Sequence, residues 1–230
     1  MKNIIIITPV YNDWKSFTKL ISEINKAILN FNDISFKLIA VNDGSVEKVP
    51  SLSLPSNIKI IEILNMKINQ GHAICLANGI KYALENHEFD SLILLDADGE
   101  DRPEEIIDLI NKAKNLNNDV SVVAKRIKRS EGPIFKIFYF LHKILTYIFT
   151  GKLINFGNYS LITLKDAKTI IDDPSIVNSF SGTLKNKIKK LENINCKRGK
   201  RYFGPSKMPL FKLIIHSFSI IAVFKMNVFV

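Results

Sequence analysis

The sequence has few cysteines, and its first apolar run is short. Only two cysteines occur in 230 residues, Cys75 and Cys196, and neither has a partner at C-x-x-C spacing. This excludes a disulfide framework and a cysteine-based zinc site, so we expect two reduced thiols. The apolar run at residues 4–7 is too short for a signal-peptide core, and no small-residue cleavage site follows it. We therefore expect a cytosolic chain whose first apolar run is a strand.

The sequence also lacks internal repeats, low-complexity linkers and any DNA- or RNA-recognition motif. Its net charge is nevertheless +10, and the excess of Lys and Arg lies in residues 125–129 and 185–201. A basic half is typical of proteins that bind nucleic acid or an anionic membrane. The apolar segments beside these runs favour a membrane surface, and we expect no nucleic-acid partner. A merely solvated basic face is the alternative.

The first 125 residues alternate short apolar runs with helical patterns. Strands are predicted at residues 4–8, 37–42, 58–64, 91–95 and 120–124, and helices at 14–29, 71–85 and 103–114. This alternation predicts an α/β fold with a doubly wound, mostly parallel sheet, whose ligands bind at the carboxyl ends of the strands. Trp14 is expected in the core and His72 at a helix start, without metal-ligand spacing.

Polar residues follow three of the predicted strands, at residues 8–12, 42–45 and 96–98. On an extended strand alternate side chains share a face, so Asp96 and Asp98 are expected to point to one spot. Two close carboxylates repel each other unless a cation lies between them. Carboxylate oxygens suit Mg²⁺ or Mn²⁺, which leave positions free for substrate phosphates. The alternative is that this acidic segment only begins a turn.

Two apolar segments in the second half are interrupted by polar residues. Residues 134–149 carry a narrow polar stripe at helical spacing, which fits a helix in a membrane interface or a buried core helix. Residues 210–230 are similar, and their internal charges favour lying on a membrane over crossing it. We expect amphipathic, membrane-associated helices at both places.

Four motifs in the first half occur in an order that resembles the family 2 glycosyltransferases with the GT-A fold. They are residues 8–12 (TPVYN), 41–45 (VNDGS), 69–72 with 77–80 (NQGH and ANGI), and 96–98 with 103–104 (DAD and PE). Two later motifs, residues 156–162 (FGNYSLI) and 201–207 (RYFGPSK), resemble the branch that glycosylates polyprenyl or dolichyl phosphate. The resemblance therefore covers most of the chain.

The resemblance implies a donor site for a nucleotide-diphosphate sugar. Pro9 and Tyr11 match the segment that lines the base, and Asp43 matches the acid that contacts base or ribose. The residues that it places at the nucleotide sugar are Pro9, Tyr11, Asp43, Gly71, Asp96 and Ala97.

The resemblance also implies a metal and the groups that act on the phosphates. Asp96 and Asp98 match the pair that holds Mg²⁺ or Mn²⁺ against the donor diphosphate. Arg201, Ser206 and Lys207 match a late motif near the donor or acceptor phosphates. Asp96, Asp98, Arg201 and Lys207 are therefore the predicted catalytic residues. A metal and cationic side chains would stabilise the departing diphosphate.

The chain departs from the family pattern at several positions. The usual Leu-Gln after the acidic pair is Gly99-Glu100, which adds a negative charge near the metal. Asn158 and Ser160 replace an acid and an arginine, and another family arginine falls on Leu164. These changes leave the metal site intact and bear on the acceptor.

A missing motif favours a phosphate acceptor. Relatives that glycosylate a sugar hydroxyl carry a late Glu-Asp pair as general base, whereas the late acids here, Asp172 and Asp173, precede a proline and predict a helix end. A phosphate is already anionic and needs no base. We expect inverting transfer to a polyprenyl phosphate. The alternatives are a sugar hydroxyl in cell-surface polysaccharide synthesis, or a non-catalytic nucleotide-sugar-binding membrane subunit.

The expected organisation is one transferase domain with a membrane-associated tail. Residues 1–209 would form the GT-A domain, with a nucleotide-binding half at 1–125 and an acceptor- and membrane-facing half at 126–209. Residues 210–230 would form the C-terminal amphipathic helix. The expected location is the cytoplasmic face of an anionic membrane, peripheral or shallowly inserted.

Overall fold

The computed structural model describes residues 1–128, 147, 151, 154–204, 218–219 and 222–224. The predicted amphipathic segments, 134–149 and 210–230, lie almost wholly outside these residues, as do Ser206 and Lys207. The division into domains and halves stays a prediction. Within the described part of the chain, no helix is long and apolar enough to cross a bilayer.

Seven strands and five α-helices make up the described part. The strands are β1 (Asn3–Val10), β2 (Ser35–Asn42), β3 (Ile58–Asn65), β4 (Ser91–Leu94), β5 (Ser121–Lys128), β6 (Phe156–Thr163) and β7 (Leu191–Lys197). The helices are α1 (Trp14–Ala27), α2 (His72–Asn86), α3 (Ile106–Asn115), α4 (Leu164–Ile171) and α5 (Phe180–Lys187), with 3₁₀ turns at Pro103–Glu105 and Pro174–Val177.

All seven strands form one sheet in the order β3-β2-β1-β4-β6-β5-β7. Strands β1 to β4 pair in parallel, β6 is antiparallel to both β4 and β5, and β7 is parallel to β5. The carboxyl ends of β1 to β5 and β7 therefore lie at the same edge of the sheet, which we call the carboxyl edge, together with the first residues of β6. The predicted mostly parallel sheet is confirmed.

Helices cover both faces of the sheet because each strand alternates its side chains. In β1, Ile4 and Ile6 pack toward α1 and α3, whereas Ile5 and Ile7 pack toward α2, α4 and α5. Helix α1 buries apolar side chains at i, i+3, i+4 and i+7, which is one face of a helix. They are Phe17, Leu20, Ile21 and Ile24. Trp14 belongs to the same core cluster, as expected.

The structure corrects two local expectations. Strand β4 ends at Leu94, so Asp96 and Asp98 lie in a loop and not on an extended strand. The chain turns there because the Asp101 carboxylate accepts a hydrogen bond from the Asp96 N–H, at 3.0 Å. The predicted helix at 103–114 begins as a 3₁₀ turn at Pro103–Glu105, in which the N–H of Glu105 donates to the carbonyl of Arg102.

Candidate active site

Asn12 connects the first two motifs at the carboxyl edge. Its N–H donates to the Ser45 hydroxyl at 2.9 Å, and its side-chain oxygen accepts from the N–H groups of Val46 and Glu47 at 2.9 and 3.3 Å. Asn12 has a φ of 47°, a left-handed conformation that asparagine tolerates better than most residues. The loop after β1, which contains the 45% exposed Tyr11, is thereby fixed against the loop after β2.

Asp43 orders the next loop. Its buried carboxylate accepts hydrogen bonds from the N–H groups of Gln70 at 2.7 Å and Gly71 at 3.0 Å. Gly44 permits this contact, because a Cβ there would lie 2.5 Å from the carbonyl carbon of Ile68. Gly71 has a φ of 92°, which favours glycine, and α2 begins at the next residue. Asp43 therefore contacts the loop directly, and its predicted bond to the nucleotide stays a prediction.

We expect Asp43→Ala to weaken nucleoside diphosphate binding about tenfold or more, because two charge-assisted hydrogen bonds that order the loop are lost. Asp43→Asn keeps the size and one carbonyl oxygen, so its effect should be smaller. Calorimetric titration of both variants measures this. If the alanine variant bound nucleoside diphosphate as tightly as the wild type, Asp43 would have no role in the nucleotide site.

His72 at the start of α2 binds the first of the two paired aspartates. Its Nε2 lies 2.6 Å from the Oδ1 of Asp96, and its Nδ1 lies 3.3 Å from the side-chain nitrogen of Asn158 at the start of β6. Burial favours the neutral ring, but the Asp96 carboxylate outweighs it and raises the pKa of His72. Burial also opposes ionisation of Asp96, yet His72 lowers the pKa of that carboxyl to about 2. Asp96 is thus held as a carboxylate.

Asp98 is paired with an arginine from the other end of the chain. One carboxylate oxygen bonds to Nη1 of Arg201, and the other accepts from the N–H of Glu100 at 2.9 Å. Arg201 also lies 3.6 Å from the Asp13 carboxylate, and its Nε is buried with no hydrogen-bond partner among the residues that the structure describes. Burial and the nearby charge of Asp96 raise the pKa of Asp98 to about 6. The two aspartates therefore act on each other, as the sequence predicted.

Two further acids beside this pair are balanced by arginines. Glu100 forms an ion pair with Arg198, so the negative charge that the sequence adds beside the predicted metal site has a partner. Asp101 is 2% exposed and forms an ion pair with Arg126 at 2.8 Å. Burial and the charge of Asp96 raise the pKa of Asp101 to about 7, although Arg126 favours its ionised form.

The donor set of this loop fits a divalent cation. Asp96 and Asp98 offer hard carboxylate oxygens. Burial and then the negative charge of Asp96 raise the pKa of Asp98, and a cation would relieve the repulsion between the two carboxylates. His72 and Arg201 already balance part of this negative charge, because each binds one of the two carboxylates. No three His, Cys, Asp or Glu side chains in the described ranges are arranged as a ready metal cluster. The metal ligands would thus be two aspartates, completed by the substrate.

The positions that depart from the family pattern lie in different places. Ser160 pairs with Leu94 inside the sheet and is fully buried, whereas Asn158 reaches His72 at the carboxyl edge. Leu164 follows the end of β6, and its N–H bonds to the carbonyl of Asp90 at 3.0 Å. Because β6 runs opposite to β4, Leu164 lies at the other edge of the sheet from Asp96. A cation there would not reach the acidic loop.

The late acids lie at the end of a helix. Asp172 caps the end of α4, and Asp173 accepts from the N–H of Ser175 at 2.7 Å and pairs with Lys187 at 2.5 Å. The helix end predicted from the sequence is confirmed.

The carboxyl edge brings together most of the residues that the sequence singled out. They are Pro9, Tyr11, Asp43, Gly71, Asp96, Ala97, Asp98 and Arg201. Lys207 lies outside the described residues. Sequence reasoning missed the partners of the acidic loop, which are His72, Asp101, Arg126, Asn158 and Arg198. The basic run at 185–201 was the only signal for Arg198.

Comparison with known proteins adds a family and several relatives. The model of glycosyl transferase family 2 matches residues 5–160. The undecaprenyl-phosphate 4-deoxy-4-formamido-L-arabinose transferase of Salmonella choleraesuis is 26% identical over 229 residues, which covers 93% of this chain and 65% of that protein. An uncharacterized glycosyltransferase of Synechocystis sp. is 30% identical over 128 residues, covering 55% of this chain and 38% of that protein. The chain thus spans less than two-thirds of these relatives.

Among solved structures, glucosyl-3-phosphoglycerate synthase from Mycobacterium tuberculosis is similar over the whole chain. The TM-score is 0.68 at 13% identity, and the match covers 100% of this chain and 80% of that protein. That structure is a complex with Mn²⁺, uridine-diphosphate-glucose and phosphoglyceric acid. Another structure of the same enzyme holds Mg²⁺ and uridine diphosphate. At this identity the similarity bears on the fold alone.

Proposed function

The chain belongs to glycosyl transferase family 2, and from this membership we propose that it transfers a sugar from a nucleoside-diphosphate sugar to a polyprenyl phosphate, with a divalent metal. The predicted GT-A fold is confirmed by the sheet and by its similarity to solved glycosyltransferases. The observation that carries the proposal is the meeting of the Asp43 loop, the Asp96–Asp98 pair and Arg201 at the carboxyl edge.

The donor would lie along this edge. The exposed Tyr11 ring and the loop ordered by Asp43 supply an apolar face and backbone groups for the nucleoside. The diphosphate would then reach the acidic loop, where Arg201 can stabilise the negative charge that develops as it leaves. Before the donor binds, Asp13 and Asp98 hold the Arg201 guanidinium at this loop.

Asp96 and Asp98 would hold the metal, Mg²⁺ or Mn²⁺. When bound, it would neutralise the diphosphate as a Lewis acid. His72 would keep Asp96 ionised and oriented, and Asp101 would hold the turn that presents both carboxylates. The metals named in the structures of the mycobacterial enzyme support this choice.

Polyprenyl phosphate is the acceptor that the observations favour. Its phosphate oxygen would form a bond to the anomeric carbon as the bond from that carbon to the diphosphate breaks, with inversion. No proton has to be removed, so no general base is needed, and Asp173, one of the two late acids, has structural partners instead. The Salmonella relative named for undecaprenyl phosphate aligns over most of the chain and supports this acceptor.

An anionic membrane would be the place where this acceptor is met, on its cytoplasmic face. The basic run at 185–201 spans the end of α5, all of β7 and the segment that carries Arg201. Each basic residue near an anionic surface contributes on the order of 1 kcal/mol to binding, and salt screens it. The chain should bind vesicles with anionic lipid and release them at high salt. Equal binding to neutral vesicles would contradict this placement.

A donor screen tests the function. The purified chain is incubated with a panel of nucleoside-diphosphate sugars and Mn²⁺, with and without undecaprenyl phosphate, and released nucleoside diphosphate is measured. We expect one donor class to give release that depends on the lipid phosphate. Release that depends only on a soluble sugar would show that the acceptor is a sugar hydroxyl, while the proposed transferase activity would still hold. No release with any donor or acceptor would favour a non-catalytic nucleotide-sugar-binding subunit.

A further inference from the structure

A short segment after β7, residues 198–202, lies along the loop that carries Asp96 and Asp98. We call it the strap. The N–H of Gly199 donates to the carbonyl of Glu100, and the N–H of Tyr202 donates to the carbonyl of Asp98, both at 2.8 Å. Arg198 and Arg201 add ion pairs to the side chains of the same two acids. The strap is therefore attached by backbone and side chain at both residues.

Two glycines allow this close approach. A Cβ on Gly199 would lie 2.2 Å from the carbonyl oxygen of Gly99, and a Cβ on Gly99 would lie 2.7 Å from the Tyr202 ring. Gly99 also has a φ of 90°, which a larger side chain would strain. The leucine that the family pattern places at this position would meet the Tyr202 ring. Any side chain at position 99 would therefore require the Tyr202 ring to move.

The second departure from the family pattern, Glu100, is the acid that the strap pairs. The side chains of Glu100 and Arg198 are 16% and 22% exposed, so the pair is largely removed from water. Without Arg198, Glu100 would leave an uncompensated charge beside Asp98. Gly99 and Glu100 thus both contact the strap, and both depart from the family pattern.

We propose that Glu100 and Arg198 are positioning residues that keep Arg201 at the acidic loop. Arg201 binds an oxygen of Asp98 that a metal would also need, so donor binding would exchange that ion pair. The Arg198–Glu100 pair and the two backbone hydrogen bonds do not involve those oxygens. They hold the strap while Arg201 turns from Asp98 to the diphosphate. The role of Arg201 rests on the proposed function, whereas the attachment of the strap does not.

Hydrogen exchange of single amides tests the attachment without turnover. In Arg198→Glu, repulsion from Glu100 should speed exchange of the Gly199 and Tyr202 amides about tenfold or more. The Lys197 amide should keep its rate, because it bonds to Glu105 outside the strap, at 2.8 Å. Arg198→Lys keeps the charge and should restore most of the protection. Lys200→Glu makes the same charge change at an exposed strap residue and should leave both amides unchanged.

The kinetic arm separates positioning from a general loss of structure. Arg198→Glu places an acid near Asp98 and loosens Arg201, so Mn²⁺ alone should bind severalfold more tightly, measured by electron paramagnetic resonance. The kcat should nevertheless fall about tenfold or more, because Arg201 is displaced. A damaged fold would weaken Mn²⁺ binding and lower kcat as well. In that case Arg198→Gln repeats the test without adding repulsion from a new acid.

Either of two results would overturn the proposal. One is unchanged exchange of the Gly199 and Tyr202 amides in both Arg198→Glu and Arg198→Gln. The other is faster exchange with an unchanged kcat, which would mean that the strap does not position Arg201. A wild-type chain without turnover would instead count against the proposed function, while the exchange result still decides the attachment.

Discussion

Asp98→Asn is expected to reduce turnover about 100-fold or more while the sheet stays folded. Asparagine keeps the size of the side chain and can still accept the hydrogen bond from the Glu100 N–H. It has no negative charge, so it cannot balance a metal ion or form the ion pair with Arg201. Burial and the charge of Asp96 already disfavour ionisation of Asp98, so the substitution should cost little stability.

Steady-state release of nucleoside diphosphate measures this effect. Asp33→Asn is the matched control, because Asp33 pairs with Lys114 at an exposed site that contributes little. Removal of metal with EDTA should mimic the Asp98 variant, and added Mn²⁺ should restore the wild type only. Activity unchanged both in EDTA and in the Asp98 variant would rule out this metal site.

Arg201→Gln should have the second largest effect, a loss of about 100-fold in kcat. Arg201 is the cation at the acidic loop that is held by two carboxylates, Asp13 and Asp98. Arg201→Lys should recover part of the loss, because lysine brings the charge without the planar fork that binds two oxygens at once. Lys200→Gln is the neighbouring control and should turn over normally. Normal turnover in Arg201→Gln would mean that another group stabilises the departing diphosphate.

The first half of the fold was predictable because its signals are local. Strands β1, β2 and β3 begin and end within two residues of their predicted limits, since each is a short apolar run. Helix α1 follows from the spacing of Phe17, Leu20, Ile21 and Ile24. Because parallel strands have their carboxyl ends at the same edge of the sheet, the motifs could be predicted to meet there without any information on side-chain contacts.

The rest depended on contacts between distant parts of the chain. The pairing of β6 between β4 and β5, antiparallel to both, has no local signature, and it brings Asn158 to His72. Arg198 reaches Glu100 across 98 positions of sequence, so the charge that seemed unbalanced had a partner that no spacing could indicate. His72 was expected only as a helix start, because its partner Asp96 follows 24 positions later.

Binding of nucleoside diphosphates with and without Mn²⁺, measured by calorimetry, tests the central claim most directly. The claim is that Asp96 and Asp98 hold a metal against the donor diphosphate. We expect one member of a panel of nucleoside diphosphates to bind the wild type about tenfold or more tightly with Mn²⁺ than without it, and Asp98→Asn to lose this difference. Equal affinity with and without Mn²⁺, or no binding of any member, would contradict the account.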